Sequence, residues 1–324
     1  MWKYILKRLV LIIPVIIGVT FLVFTIMNMR QDDPGRTYLG LNATQEQVDE
    51  YNDSLGLNDP FFVRYFNYMK GLVQLDFGKS WMGGENVSDR ILSAMPQTLK
   101  LCFYAAVVKI IVALPIGVVS AVKQYSIADR FLTVAAMLLA CIPTFWLCHL
   151  AASLFTLKLK WLPATGLDSW KAYIMPVICC CANGIGTLIR MTRSSMLQEL
   201  RQDYIRTARA KGAKESSVIF KHALRNSMIP VATNIGLSFN AMLGGTVYVE
   251  SVYAINGLGG LIVRSISSGD VPMIMGCVVV LAAFAVVINL LVDLSYVYLD
   301  PRLGSRYFST KKKTPKTVKK EAAA

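Results

Sequence analysis

Few side chains in this sequence have the chemistry to act on a ligand, and those few sit inside apolar runs. Lys109 lies near the middle of one run, where an ammonium costs at least about 3 kcal/mol on insertion scales unless a carboxylate, carbonyls or water receive it. As a functional residue it would face a translocation path and contact an anionic group; as a structural one it snorkels or pairs. Thr233, Gly236, Asn240 and Gly244 share one helical face of the run at 228–248, with Asn234, Ser238 and Gly245 beside them. Such a face must meet protein or water rather than lipid. Thr233, Asn234, Ser238 and Asn240 are therefore path candidates alongside Lys109. Tight packing through small residues is the competing role, and both can hold on adjacent strips. Asn289 and Asp293, at i and i+4 of the last apolar run, form a structural or gating pair in this reading.

Other chemistry is excluded residue by residue. The seven cysteines all sit in apolar runs, and Cys179-Cys180-Cys181 would point in three directions about 100° apart on a helix, which suits small apolar filler better than a metal site. Asn256-Gly257-Leu258-Gly259-Gly260 has the glycines of a phosphate-cradling loop, but no strand precedes it and no Lys-Ser or Lys-Thr follows. His149 and His222 are far apart, on opposite sides of a span. With no Walker-type loop, no nucleophile beside a base and no metal cluster, the chain is read as non-catalytic, with no cofactor of its own.

The elements that must position these residues are membrane spans. The 324 residues are 54% hydrophobic with a mean hydropathy of +0.47, too apolar for an ordinary soluble domain. Six apolar runs, at about 9–29, 97–122, 131–157, 173–190, 228–248 and 273–297, are each long enough to cross a hydrocarbon core of about 30 Å. The first, behind Lys3, Lys7 and Arg8, reads as an uncleaved span. The net charge of +14 is confined to segments between runs, which argues against nucleic acid. Ten acidic residues against six basic ones at 30–90 suit the outer face. Nine basic residues against three acidic ones at 190–227, and the lysine-rich tail, suit the cytoplasm, so both termini are expected there. The expected divisions are a first span at 1–30, an extracytoplasmic region at 31–96 and a five-helix core at 97–300. A basic tail at 301–324 follows, ending in disorder or on anionic lipid headgroups.

Between the fourth and fifth runs lies a basic, helix-favouring segment, DYIRTARAKGAKESSVIFKHALRNSMIP from Asp203 to Pro230. On one continuous helix Tyr204, Ala208 and Gly212 would share a face that another protein can approach closely. Tyr204-Ile205-Arg206-Thr207-Ala208-Arg209-Ala210-Lys211-Gly212, followed by His222-Ala223-Leu224-Arg225-Asn226, resembles the EAA loop of ABC importer permeases, and more narrowly the oligopeptide, dipeptide and nickel branch. Arg206 or Thr207 stands near the pattern's Glu, and His222-Ala223-Leu224-Arg225 replaces its Ile-x-Leu-Pro, a departure typical of the branch. Arg190-Met191-Thr192-Arg193-Ser194-Ser195-Met196 and the Asn289, Asp293, Asp300-Pro301-Arg302 ending extend the likeness.

The resemblance implies an all-α membrane protein of six transmembrane helices with type I ABC importer architecture, in a bacterial plasma membrane. It implies a homologous second permease enclosing a path with this one, an extracytoplasmic solute-binding protein, and two cytoplasmic ATPase subunits that hold ATP and Mg. Those ATPases would grip Tyr204, Arg206, Thr207, Ala208, Arg209, Ala210, Lys211 and Gly212, within a coupling loop at 199–227. Di- and oligopeptides are the first expectation for cargo; nickel, a metal chelate or glutathione is the alternative within the branch, and a channel subunit a remote one.

Overall fold

The computed structural model describes residues 2–29, 33–40, 42–163, 165–167 and 169–299, and the tail at 301–324 lies outside them. Helix α1 (Trp2–Asn28) is followed by the short helices α2 (Pro34–Leu39), α3 (Gln45–Ser54) and α4 (Phe61–Val73). Then come α5 (Val87–Val122), α6 (Ile127–Cys141), α7 (Thr144–Ala151), which widens into a π-turn segment at Ala152–Lys158, and α8 (Trp170–Leu200). The basic segment folds as α9 (Asp203–Ala210), α10 (Glu215–Ser217) and a second π-turn segment, Val218–Ala223. It leads into α11 (Leu224–Val252), α12 (Leu258–Ser268) and α13 (Val271–Leu299).

Val87–Val122, Trp170–Leu200 and Val271–Val292 are long and apolar enough to cross a membrane. Helix α6 and the α7 segment qualify only together, because the chain bends by 98° between them. Pro143 sits at that break as the N-terminal cap of α7, with Ile142 extended before it, as the steric demands of a proline ring require. Helix α11 has 29 residues, but its polar central face keeps it below the apolarity of the others. Of α1, Ile13–Asn28 forms a shorter apolar stretch.

Helix α8 is the hub, packing most extensively on α5, then on α11 and α6. Its fit is made by small residues. A Cβ on Gly186 would collide with the Ala136 carbonyl of α6, and one on Gly117 of α5 would lie 2.6 Å from Thr192 Cβ. Leu101, Ala105, Cys148, Cys179, Leu188 and Val231 are buried where these helices meet. Outside this bundle, α1 lies against α13. Thr20 of α1 shares a hydrogen bond of 3.0 Å with the Tyr65 hydroxyl of α4, and Phe24 packs on Phe61 and Tyr65. Helix α3 begins with a capping box in which Thr44 accepts from the Gln47 amide and Gln47 accepts from the Thr44 amide.

One end of the bundle is closed by two buried carboxylates. Glu250, fully buried near the end of α11, accepts from Thr98 Oγ1 of α5 (2.7 Å) and from the Gly260 amide (2.9 Å), while Thr98 in turn accepts from the Leu258 amide (2.8 Å). The first amides of α12 are thus satisfied by a side chain of the same protein, which the positive end of a helix favours. This is why the segment is rich in glycine: a Cβ on Gly257 would lie 2.5 Å from the Glu250 carboxyl and 2.6 Å from Thr98 Oγ1. Asp270, at the corner between α12 and α13, accepts from Ser80 Oγ and from the Trp81 amide (3.1 Å), and so fastens the loop before α5. Replacing Gly257 with alanine should destabilise the purified protein by about 1–3 kcal/mol, read as a lower thermal midpoint. Gly18→Ala, where nothing stands within 4 Å, should not lower it. Equal effects would refute this account of how that end is closed.

Candidate functional site

Two places in the molecule can act on something outside it: a cavity in the helical bundle and the basic segment below it. The cavity, about 430 Å³, lies between α5, α7, α8 and α11. Lys109 of α5 lines it, with Thr144 of α7 and the strip Cys180, Asn183, Gly184 and Thr187 of α8. From α11 come Asn234, Ser238 and Gly245. Lys109 is only 2% exposed. Its side chain runs past Gly184, where a Cβ would lie 2.6 Å from Nζ.

The polar face of α11 divides into two strips with different neighbours. Asn234, Ser238 and Gly245 face the cavity. Thr233 and Asn240, expected on the path, do not line it: Thr233 Oγ1 donates back to the Ile229 carbonyl (3.0 Å), and Asn240 Nδ2 donates to Asn289 Oδ1 of α13 (2.6 Å). Gly236 closes against Val292 on the same side. Asn289 therefore joins α13 to α11, and its expected partner Asp293 has a side chain outside the described residues. Asn183 and Thr187 carried no weight in the sequence, although their spacing with Cys180 and Gly184 is that of a single helical strip.

The basic segment differs from one continuous helix. Helix α9 stops at Ala210, and Gly212 takes φ +77 in a Schellman turn: the Gly212 amide bonds to the Arg209 carbonyl (2.9 Å) and the Ala213 amide to the Ala208 carbonyl (3.2 Å). Gly212 therefore does not extend the face of Tyr204 and Ala208, and nothing stands within 4 Å of a Cβ placed there. Its requirement is conformational. Ala208 turns inward with buried Ile205 onto Val118, Met196, Val218 and Ala223. Tyr204, Arg206, Thr207, Arg209, Ala210, Lys211 and Gly212 are left exposed.

Helix α9 is fastened to both neighbouring long helices. The Tyr204 hydroxyl donates to Glu199 at the end of α8 and accepts from Asn226 Nδ2 at the start of α11 (2.9 Å). Arg209 grips Glu215 of α10 (Nη2–Oε1 2.7 Å) and holds its carboxyl below the usual value. Above, Arg193 of α8 forks onto Asp129 of α6 (Nε–Oδ1 2.7 Å, Nη2–Oδ2 2.8 Å), which also accepts from Ser120 of α5 and from the Tyr125 amide (2.9 Å). Asp129 was missed in the sequence, although Ser126-Ile127-Ala128-Asp129 before an apolar run is a helix-start signal, and Ser126 does cap α6.

Among the described residues no three His, Cys, Asp or Glu side chains gather as a metal site would need. What the geometry offers is a solute-sized cavity with a few polar groups on a largely apolar lining, and an exposed basic segment fastened to α8 and α11. Residues 113–305 match the family described as binding-protein-dependent transport system inner membrane component, and residues 1–102 match that component's N-terminal family. The chain belongs to this family. It is an ABC importer inner-membrane permease, a multi-pass protein of the plasma membrane. It is 36% identical to the dipeptide transport system permease protein DppB of Alkalihalophilus pseudofirmus, and 36% identical to the oligopeptide transport system permease protein AppB of Bacillus subtilis. It is 37% identical to the glutathione transport system permease protein GsiC of Escherichia coli. Each likeness covers 94% of this chain and 99% of the relative. The permease fold is shared with a chain of the inward-facing MetNI methionine ABC transporter at a TM-score of 0.56 and 18% identity, covering 65% of this chain and 96% of that one.

A β-branched residue in the left-handed region is strained by of order 1–3 kcal/mol, whereas asparagine tolerates it. Gly212→Val should therefore loosen the turn, seen as faster tryptic cleavage at Arg209 and Lys211, and Gly212→Asn should stay near the wild-type rate. Equal cleavage of the two variants would contradict a conformational role for Gly212.

Proposed function

We propose that this chain is one of two homologous permease subunits of an ATP-driven importer of short peptides. The carrying observation is its likeness, over nearly the full length of both chains, to permeases named for dipeptides, oligopeptides and glutathione, itself a tripeptide. In this reading all six apolar runs span the membrane, α11 shielding its polar face within the protein, and both termini lie in the cytoplasm. The region between α1 and α5 faces a solute-binding protein outside, and the basic tail follows the core on the inner side.

ATP and Mg are held by two separate ATPase subunits, and this chain supplies no catalytic group. The ATPases dock on the exposed residues of α9 and its turn, Tyr204, Arg206, Thr207, Arg209, Ala210, Lys211 and Gly212. Because Tyr204 bonds to both Glu199 and Asn226, a displacement of α9 is passed to α8 and α11 together. These two helices carry most of the cavity lining, so closure of the ATPases changes access to the cavity by rigid-body motion.

Uptake in a strain lacking this subunit tests the assignment, with labelled di- and tripeptides, glutathione and radioactive nickel offered before and after the gene is restored. Restored peptide uptake is expected. Restored nickel uptake alone would overturn the peptide reading, and flux without ATP in proteoliposomes would overturn the importer. Tyr204→Phe should assemble normally with its ATPases yet lower peptide uptake several-fold at unchanged basal ATP hydrolysis. Wild-type uptake in that variant would remove the hydroxyl from the transmission route.

A further inference from the structure

Lys109 is a cation in the helical core without a counter-ion. No carboxylate among the described residues forms an ion pair with it. The fold nevertheless clears room for it at Gly184. The rest of the polar cavity lining, including Thr144, Asn183, Thr187, Asn234 and Ser238, is neutral. A lysine placed there only for stability would be expected to meet an acid, since an uncompensated charge is costly away from water. The second observation is Asn234, whose Oδ1 is buried and has no hydrogen-bond partner. Among the cavity-lining residues are thus an ammonium with no ion-pair partner among the described residues and a buried amide oxygen with no hydrogen-bond partner, around a volume in the ordinary range of about 300–1,000 Å³ for small-molecule sites.

A ligand that answers both groups carries an anionic oxygen and an N–H. The C-terminal end of a peptide has both, a carboxylate and the amide N–H before it. A hydrated metal cation would meet like charge at Lys109. We propose that this cavity is a binding site within the permease for the C-terminal carboxylate of a peptide in transit, with Lys109 as its ion-pair partner and Asn234 as acceptor for a peptide N–H. Gly184 is a positioning residue that gives the ammonium its place. The proposal rests on the peptide-import reading, and it adds a charge filter in the membrane to whatever selection the binding protein makes outside.

The test uses the whole permease and ATPase complex, purified without its binding protein, and follows thermal unfolding during titration with trialanine and with trialanine amide. The acid should stabilise the wild-type complex at concentrations roughly tenfold lower than the amide, the ratio set by one charge-assisted contact of about 1.4 kcal/mol. Lys109→Met should remove the preference and Lys109→Arg keep it. A wild-type complex that responds equally to both ligands or to neither, or a preference that survives in Lys109→Met, overturns the site. Should Lys109→Met fail to assemble, Lys109→Gln is read in its place, because it removes the charge and keeps a polar side chain. Loss of the preference there supports the site, and its persistence overturns it. Uptake of trialanine by proteoliposomes separates the two claims: import without an acid preference loses the site alone, and an acid preference without import loses the import reading.

Discussion

The close seat of α8 between α5 and α6 is the constraint on which the other features depend. In lipid, apolar side chains gain little by leaving one apolar surface for another, so helices associate through close packing of small residues and a few polar contacts. Gly186 lets α8 come against the backbone of α6, and Gly117 of α5 receives Thr192 of α8. The third glycine, Gly184, faces Lys109 instead of a backbone, and there the packing opens into the cavity. One helix therefore fixes the core, shapes the cavity and carries the end on which α9 is mounted.

The two ends of the bundle are stiff in different ways. At the end that carries α9 the fork of Arg193 on Asp129 ties α8 to α6, with Ser120 bringing in α5. Breaking one side of such a largely buried pair costs several kcal/mol, so these helix ends stay together. At the opposite end Glu250 and Thr98 tie α11, α12 and α5, and Asp270 ties the loop before α5. Between these fastenings, nothing stands within 4 Å of a Cβ placed at Gly244 or Gly245 on α11. Both ends of the bundle are thus tied by polar contacts, and the packing around this stretch of α11 is more open.

Much of this was legible in the sequence where the signal is local. Apolar runs marked the long helices, and Lys109 stood out because its position is costly. What was not legible depends on partners distant in the chain. The glycines from Gly257 to Gly260 were set aside as a turn, because nothing local says that Thr98 and Glu250, 152 positions apart, bond to each other and to the amides there. The partition of the α11 polar face is of the same kind: Asn234 and Asn240 look alike in sequence, and only the placement of α8 and α13 sends one to the cavity and the other to Asn289. Gly212 was read as a site of close approach, whereas its positive φ shows a turn that a sequence pattern of small residues does not distinguish from a helix.

The transmission proposed above requires that α9 and α8, the long helix it is mounted on, move as one body. The distance between spin labels at Arg190 of α8 and Asp203 of α9 within one subunit reads this. Both positions are exposed, and labels on unnatural amino acids leave the native cysteines in place. Pulsed electron paramagnetic resonance on the assembled transporter, nucleotide-free and ATP-trapped, should give the same distance distribution in both states. A distribution that shifts when ATP binds would show α9 moving independently of α8 and would contradict the account.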